Sequence, residues 1–164
     1  AHLCSFGDCS ESSCFVRGDE LLTFEVRGWR VGLLICYELR FPEIWRELVR
    51  GRGCDVILHP VAFPRDGAFA SWHHFVITRA LENQAFVMSL SRAGSHFGAS
   101  ICVPAWMEGD EKVDLDLSGV GTEAAKRRAR MLGIEEGALL MVCDDEELKA
   151  VRGTYTLVED THPT

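Results

Sequence analysis

Apolar and polar positions change rhythm several times along this chain, and each change predicts an element. Glu20–Val26 and Arg30–Ile35 (ELLTFEV and RVGLLI) flank Arg27-Gly28-Trp29, the pattern of a hairpin. Val31, Leu33, Leu34 and Ile35 form the short apolar run of a buried parallel strand, which stops at Cys36. Pro42 suits a first helical turn, and Ile44, Trp45, Leu48 and Val49 follow at helical spacing. Gly51 and Gly53 end that helix, and Asp55–Pro60 (DVILHP) reads as the next buried strand. Phe69, Trp72, Phe75, Val76, Ala80 and Leu81 make a helical stripe over Phe69–Gln84. Ala85–Ser91 and Gly98–Pro104 then read as strands. Alternating strands and helices with antiparallel pieces at the ends predict an α/β fold of α+β layers.

From Met107 the text turns polar, and Thr122–Leu132 reads as a surface helix with Thr122 as N-cap, so residues 107–136 resemble an insertion. Gly137–Asp144 (GALLMVCD) returns to strand character, and Asp145–Arg152 (DEELKAVR) is a short amphipathic helix. The 164 residues suit one domain, 1–164, with its core over about 1–106 and a terminal strand and helix over 137–152; a 47% hydrophobic content can supply the core.

Charge and cysteine usage narrow the function. A net charge of -8 disfavours nucleic acid, which needs a concentrated basic surface. Lys126-Arg127-Arg128 with Arg130 reads as the solvated face of a helix. No apolar run reaches the roughly 18 to 20 residues of a membrane span, and the opening AHLCSFGD lacks the basic and apolar regions of a secretory signal. Seven cysteines could suggest disulfides, but the number is odd, and Cys36, Cys54, Cys102 and Cys143 lie in or beside apolar runs. A soluble chain in a reducing, cytoplasmic setting is expected.

Three look-alikes do not hold. Cys4, Cys9 and Cys14 with His2 lack the close pairs of structural zinc, so no metal is expected. DLDLSGVGTEAA opens like a calcium loop but has Ala125 at its twelfth position, where a bidentate glutamate is required. Gly119, Gly121 and Ala124 fit a dinucleotide fingerprint, yet KVDLDL before them alternates where a buried strand is needed.

The chemistry concentrates at Cys36. A strand end in an α/β sheet is where ligands collect, and N–H dipoles at the strand exit favour thiolate and can donate to an oxyanion. Glu38, Arg40 and Glu43 add charge to the same exit. A nucleophilic thiol needs a base; His2, His59, His73, His74, Glu11 and Glu38 are the candidates, and a Cys36–His59 dyad is one arrangement.

Gly32–Glu43, GLLICYELRFPE, resembles the nucleophile motif of the nitrilase superfamily, the carbon-nitrogen hydrolases. Other pieces fall in the family's order: His2-Leu3, then Phe6-Gly7-Asp8 and Glu11; Phe15, Gly18 and Asp19; Cys54–Phe63; Trp72 followed by Arg79, Ala80, Glu82, Asn83 and Gln84; and Ser91, Arg92, Gly94, Gly98 and Ser100. The resemblance implies an α-β-β-α sandwich, a Glu-Lys-Cys triad and a homo-oligomer. It makes Cys36 the nucleophile, the Tyr37 N–H an oxyanion donor and Glu11 a substrate-positioning carboxylate. Glu38, Arg40, Val61 and Phe63 become pocket candidates, although a structural role for Arg40 is the simpler expectation. The substrate expected is a small-molecule amide, because CYELRFPE is closer to the ω-amidase and Nit-type branch than to nitrilases. No cofactor is implied. The family's lysine would fall just ahead of Ala1 and its general-base glutamate further upstream. A chain that is the C-terminal part of a longer protein, inactive alone, is therefore expected. Two other readings stand beside this one: a non-catalytic scaffold of the same fold, and a cysteine-histidine hydrolase complete within these residues.

Overall fold

The structure is a computed structural model that describes residues 2–5, 10–107 and 128–160. The calcium-like and dinucleotide-like segments, Thr122, Lys126-Arg127, Cys9 and the Phe6-Gly7-Asp8 motif lie outside the described residues.

Strands β1 (Leu22–Val26) and β2 (Trp29–Leu33) form the expected antiparallel hairpin. Its two turn residues, Arg27 and Gly28, both have positive φ, 50° and 86°, the geometry whose twist matches that of the strands it joins. β3 (Val56–Val61) and β4 (Phe86–Ser91) follow, each parallel to the strand before it. β5 (Ile101–Val103) and β6 (Arg130–Met131) then add antiparallel edges, so that the described strands form one six-stranded sheet in chain order.

Helix α1 (Pro42–Arg46) runs on as a π-turn, Glu47–Gly51, and crosses from β2 to β3; α2 (Phe69–Asn83) crosses from β3 to β4. Both lie on one face of the sheet. There Trp45, Leu48 and Val49, with Trp72, Val76 and Ala80, bury Leu34, Ile57, Val87, Ile101 and Val103. Gly32 permits the close approach: a Cβ there would meet Ile57 Cδ1 at 2.9 Å and Leu48 Cδ1 at 3.0 Å.

The opposite face buries Val31, Val56 and Phe86 beneath Ala105 and Leu148. Leu148 belongs to α3 (Asp145–Thr154), whose N-cap Asp144 accepts hydrogen bonds from the Glu146 and Glu147 amides. Arg152 of α3 donates to Asp55 Oδ1 at 2.7 Å and to the Gln84 carbonyl at 3.2 Å, while Gln84 Nε2 donates to the Tyr155 carbonyl at 2.7 Å. This end of the face is closed. At the other end Pro60 and Leu90, neighbours across β3 and β4, and Ile35 just past β2 leave an apolar row open, with Ile35 57% and Leu90 48% exposed.

Two expectations need correction. The helix predicted over Thr122–Leu132 does not include Arg130 and Met131, which form β6, because their main chain is taken up by β5. Its continuation pairs as well, Leu132 N–H to the Ser100 carbonyl and Ala99 N–H to the Gly133 carbonyl. Gly137–Asp144 joins no strand. It alternates because Met141 and Cys143 pack on the same face as Leu148 while Leu140 and Val142 point to solvent.

Candidate active site

The three parallel strands β2, β3 and β4 end on the same edge, and Cys36 stands at that edge. The backbone is extended at Ile35 (φ -118°, ψ 122°) and flips to φ 43° at Cys36, which opens a one-turn 3-10 segment, Cys36–Arg40. A non-glycine residue in this region costs about 1–3 kcal/mol and persists only where its surroundings fix it. Here three side chains from three elements do so by donating to carbonyls of the turn. His59 of β3 bonds the Cys36 carbonyl (3.0 Å), Trp45 of α1 the Glu38 carbonyl (3.0 Å) and Arg79 of α2 the Leu39 carbonyl (3.2 Å).

The His59 contact has a defined direction. Its Nε2 faces a carbonyl and therefore carries the proton, so Nδ1 accepts from the Ser89 hydroxyl at 2.8 Å, and the Ser89 oxygen accepts the Trp72 indole N–H at 3.0 Å. His59, Ser89 and Trp72 are completely buried. Burial lowers the His59 pKa from 6.5 to about 4, against the Cys36 carbonyl, which raises it. The imidazole is neutral and engaged at both nitrogens. The Cys36–His59 dyad is thus corrected: histidine holds the main chain of the Cys36 turn. The two histidines of α2 bond carbonyls too, His73 that of Ala99 (2.8 Å) and His74 that of Ala70 (2.7 Å).

Around the Cys36 sulfur the influences oppose one another. Burial is the largest and raises the thiol above its ordinary 9.0; the Ala62 main-chain N–H lowers it, the Glu11 carboxylate and Cys4 raise it, and the Tyr37 N–H lowers it. Burial prevails. The thiolate expected from the strand exit alone is not the resting form, and a base must take the proton during any attack. Glu11, which opens a 3-10 turn (Glu11–Ser13), is tied to the adjoining segment by accepting the Cys4 N–H at 2.5 Å.

Residues 6–122 match the family model described as carbon-nitrogen hydrolase. The chain belongs to the carbon-nitrogen hydrolase family. It is similar to human omega-amidase NIT2, 34% identical over 121 residues that make up 70% of this chain and 41% of that protein. Similarity to deaminated glutathione amidase of Yersinia enterocolitica is 31% over 106 residues, 61% of this chain and 37% of that protein. The fold matches the crystal structure of a CN-hydrolase superfamily protein from Xanthomonas campestris with a TM-score of 0.73 at 23% identity, covering 99% of this chain and 57% of that one. The chain thus spans about two fifths of the curated relatives, 41% and 37%, and its fold is that of the carbon-nitrogen hydrolases.

Within this family fold the remaining pocket candidates separate. Glu38 is turned inward and buried, its carboxylate accepting the Ile35 N–H (2.8 Å) and the His2 N–H (3.2 Å), so it braces the turn and draws in the segment before it. His2 stacks on Phe41 at 3.8 Å in the same cluster. Val61 is 8% exposed and packs in the core. Phe63 stacks on Trp72 at 5.6 Å and is half-buried, and Arg40 is exposed, its guanidinium 5.4 Å from the Phe75 ring of α2. The Tyr37 N–H bonds the Cys36 sulfur and the Glu11 carboxylate acts on it through its charge, whereas Glu38 bonds main chain, Val61 lies in the core and Arg40 lies over Phe75. Sequence reasoning missed Ala62, whose amide reaches the sulfur from the end of β3, and Ser89. A signal for Ser89 existed: a polar residue inside the apolar run of β4 needs a buried partner.

Proposed function

We propose that this chain carries the nucleophile half of a cysteine-dependent amide hydrolase acting on small-molecule amides. The observation that carries the reading is Cys36 at φ 43° on a braced turn, with the Tyr37 and Ala62 amides directed at its sulfur. In the reaction, Cys36 Sγ attacks the amide carbon as its proton passes to a base. The carbonyl oxygen becomes an oxyanion facing the Tyr37 N–H. Collapse breaks the C–N bond, ammonia or an amine leaves with the proton, and water then cleaves the thioester to the acid and restores the thiol. Glu11, near the sulfur, orients the amide. The base and a lysine that shares the oxyanion charge are contributed by residues upstream of Ala1. An amide substrate is favoured by the relatives, an omega-amidase and a deaminated glutathione amidase.

The elevated Cys36 thiol agrees with a site that awaits its base. Losing a general base and an oxyanion donor each commonly costs about two or more orders of magnitude in rate, so the 164 residues alone are expected to turn over no measurable amide. The test is mass-resolved labelling of Cys36 by iodoacetamide across pH, in this chain and in the protein extended upstream. Faster Cys36 labelling at neutral pH in the extended protein supports the reading. An inert Cys36 in both removes it and leaves a scaffold of the same fold. Sedimentation of the extended protein tests the homo-oligomer, and microscopy of a tagged form the cytoplasmic location. Among the described residues no helix is long and apolar enough to cross a membrane.

A further inference from the structure

The proposed reaction requires the Tyr37 N–H to face the developing oxyanion, and the inference below rests on that reading. In a trans peptide the C=O of one residue and the N–H of the next point in opposite directions, and the chain has no cis bonds among its described residues. Whatever grips the Cys36 carbonyl therefore aims the Tyr37 amide. The grip comes from beneath: His59 Nε2–H holds that carbonyl at 3.0 Å, and the Tyr37 N–H acts on the sulfur on the other side.

We infer that His59 is a positioning residue for the oxyanion donor, and that Trp72 and Ser89 set it by fixing its tautomer. Each member of the chain has one way to bond. Indole N–H can only donate, so Ser89 receives it; the Ser89 hydroxyl then donates to Nδ1, which forces the imidazole proton onto Nε2 and toward the Cys36 carbonyl. The Trp45 ring lies edge-on to the imidazole at 5.5 Å and limits its rotation. A neutral group that donates at one end and accepts at the other fits this gap. A leucine would fill the volume but leave the carbonyl without a donor, and the strained peptide at Cys36 would be free to turn its N–H away. Histidine here acts through the backbone on the charge that forms at the neighbouring residue, without touching the sulfur.

Two measurements on the 164-residue chain test this. The first needs no variant: nitrogen-15 NMR of His59 at neutral pH is expected to show a neutral ring protonated at Nε2, and protonation at Nδ1 would overturn the inference. The second compares Cys36 alkylation by iodoacetamide from neutral to alkaline pH in the wild type, His59→Gln and His59→Leu, with exposed Cys14 as the internal standard. His59→Gln keeps an N–H donor near the Nε2 position and is expected to stay within about threefold of the wild type. His59→Leu is expected to move the profile to higher pH and slow labelling about tenfold or more, the scale of losing one well-aimed donor. Rescue by glutamine and not by leucine separates donor loss from general loosening. Superimposable profiles for His59→Leu and the wild type overturn the positioning role while leaving Cys36 as the nucleophile. If wild-type Cys36 does not label in this chain, the same three proteins are compared in the form extended upstream, and a Cys36 inert there too sinks the hydrolase reading itself, and this inference with it. Should His59→Leu fail to fold, Ser89→Ala replaces it: a smaller shift in the same direction supports the chain, and an unchanged profile with unchanged Nε2 protonation overturns it.

Discussion

Acid should unfold this protein partly through one histidine. Burial lowers His59 from 6.5 to about 4. As pH falls through 6.5 the unfolded chain takes up a proton that the native state refuses until about pH 4, so the unfolded state gains and stability drops across that interval. The contribution of neutral His59 is complete above 6.5 and lost on reaching about 4. At about 1.36 kcal/mol for each pH unit between the two values, the loss is about 3 kcal/mol, a substantial part of the roughly 5–15 kcal/mol by which domains are stable. Urea unfolding followed by far-UV circular dichroism, at several pH values from about 7 to about 4, measures it for the wild type and His59→Gln. Carboxylates titrate in both and cancel in the difference. The wild type is expected to lose about 3 kcal/mol more than the variant over this range, whatever the variant's stability at neutral pH. Parallel curves would refute the reasoning and mean that His59 is protonated in the native state or that the site opens before it titrates.

Other predictions follow from local geometry. Gly98→Ala should cost about 1–3 kcal/mol, because Gly98 has φ 81° and a Cβ would meet the main chain at Ile134 Cα at 2.8 Å; a melting temperature lower by several degrees checks this, and an unchanged one counts against the β5–β6 packing. Glu38→Ala leaves the Ile35 and His2 amides without their carboxylate and should cost about 1–3 kcal/mol; proteolysis should then cut first within residues 2–5, and an unaltered cleavage pattern would show that Glu38 does not anchor them. Arg152→Leu removes the donor shared by Asp55, Gln84 and Cys54 and should cost about 2 kcal/mol, with faster hydrogen exchange in α3 as the local readout.

The parts of the fold that could be read from sequence are those decided within about ten residues. The aliphatic run up to Ile35, Pro42 at the start of α1 and the Phe69–Leu81 stripe each state their own periodicity, and all three elements form where expected. β6 has only two residues, Arg130 and Met131, too few to show a period, and its pairing depends on β5 nearly thirty positions earlier. Gly137–Asp144 alternates like a strand because one side packs, and alternation does not reveal whether a ladder partner is free. At the site the same division holds. The place of Cys36 at the strand exit is legible from the apolar run that stops there, whereas the direction of the His59 ring depends on Ser89, thirty residues away, and on the strained φ of Cys36, which no residue type announces. Sequence shows Glu38 as a carboxylate near Cys36 and not which way it turns, onto the Ile35 and His2 amides.

The described strands lie side by side in the order in which they occur in the chain, β1 to β6. During synthesis each new strand can dock on the edge left by its predecessor, which keeps most pairings local and folding uncomplicated. The exception is α3, which reaches back 97 residues from Arg152 to Asp55 and covers Val31, Val56 and Phe86. Until α3 emerges from the ribosome, the sheet exists with that face open to water and to other nascent chains. Release of α3 is therefore the step that takes Val31, Val56 and Phe86 out of reach of chaperones and other chains, while the row of Ile35, Pro60 and Leu90 stays accessible.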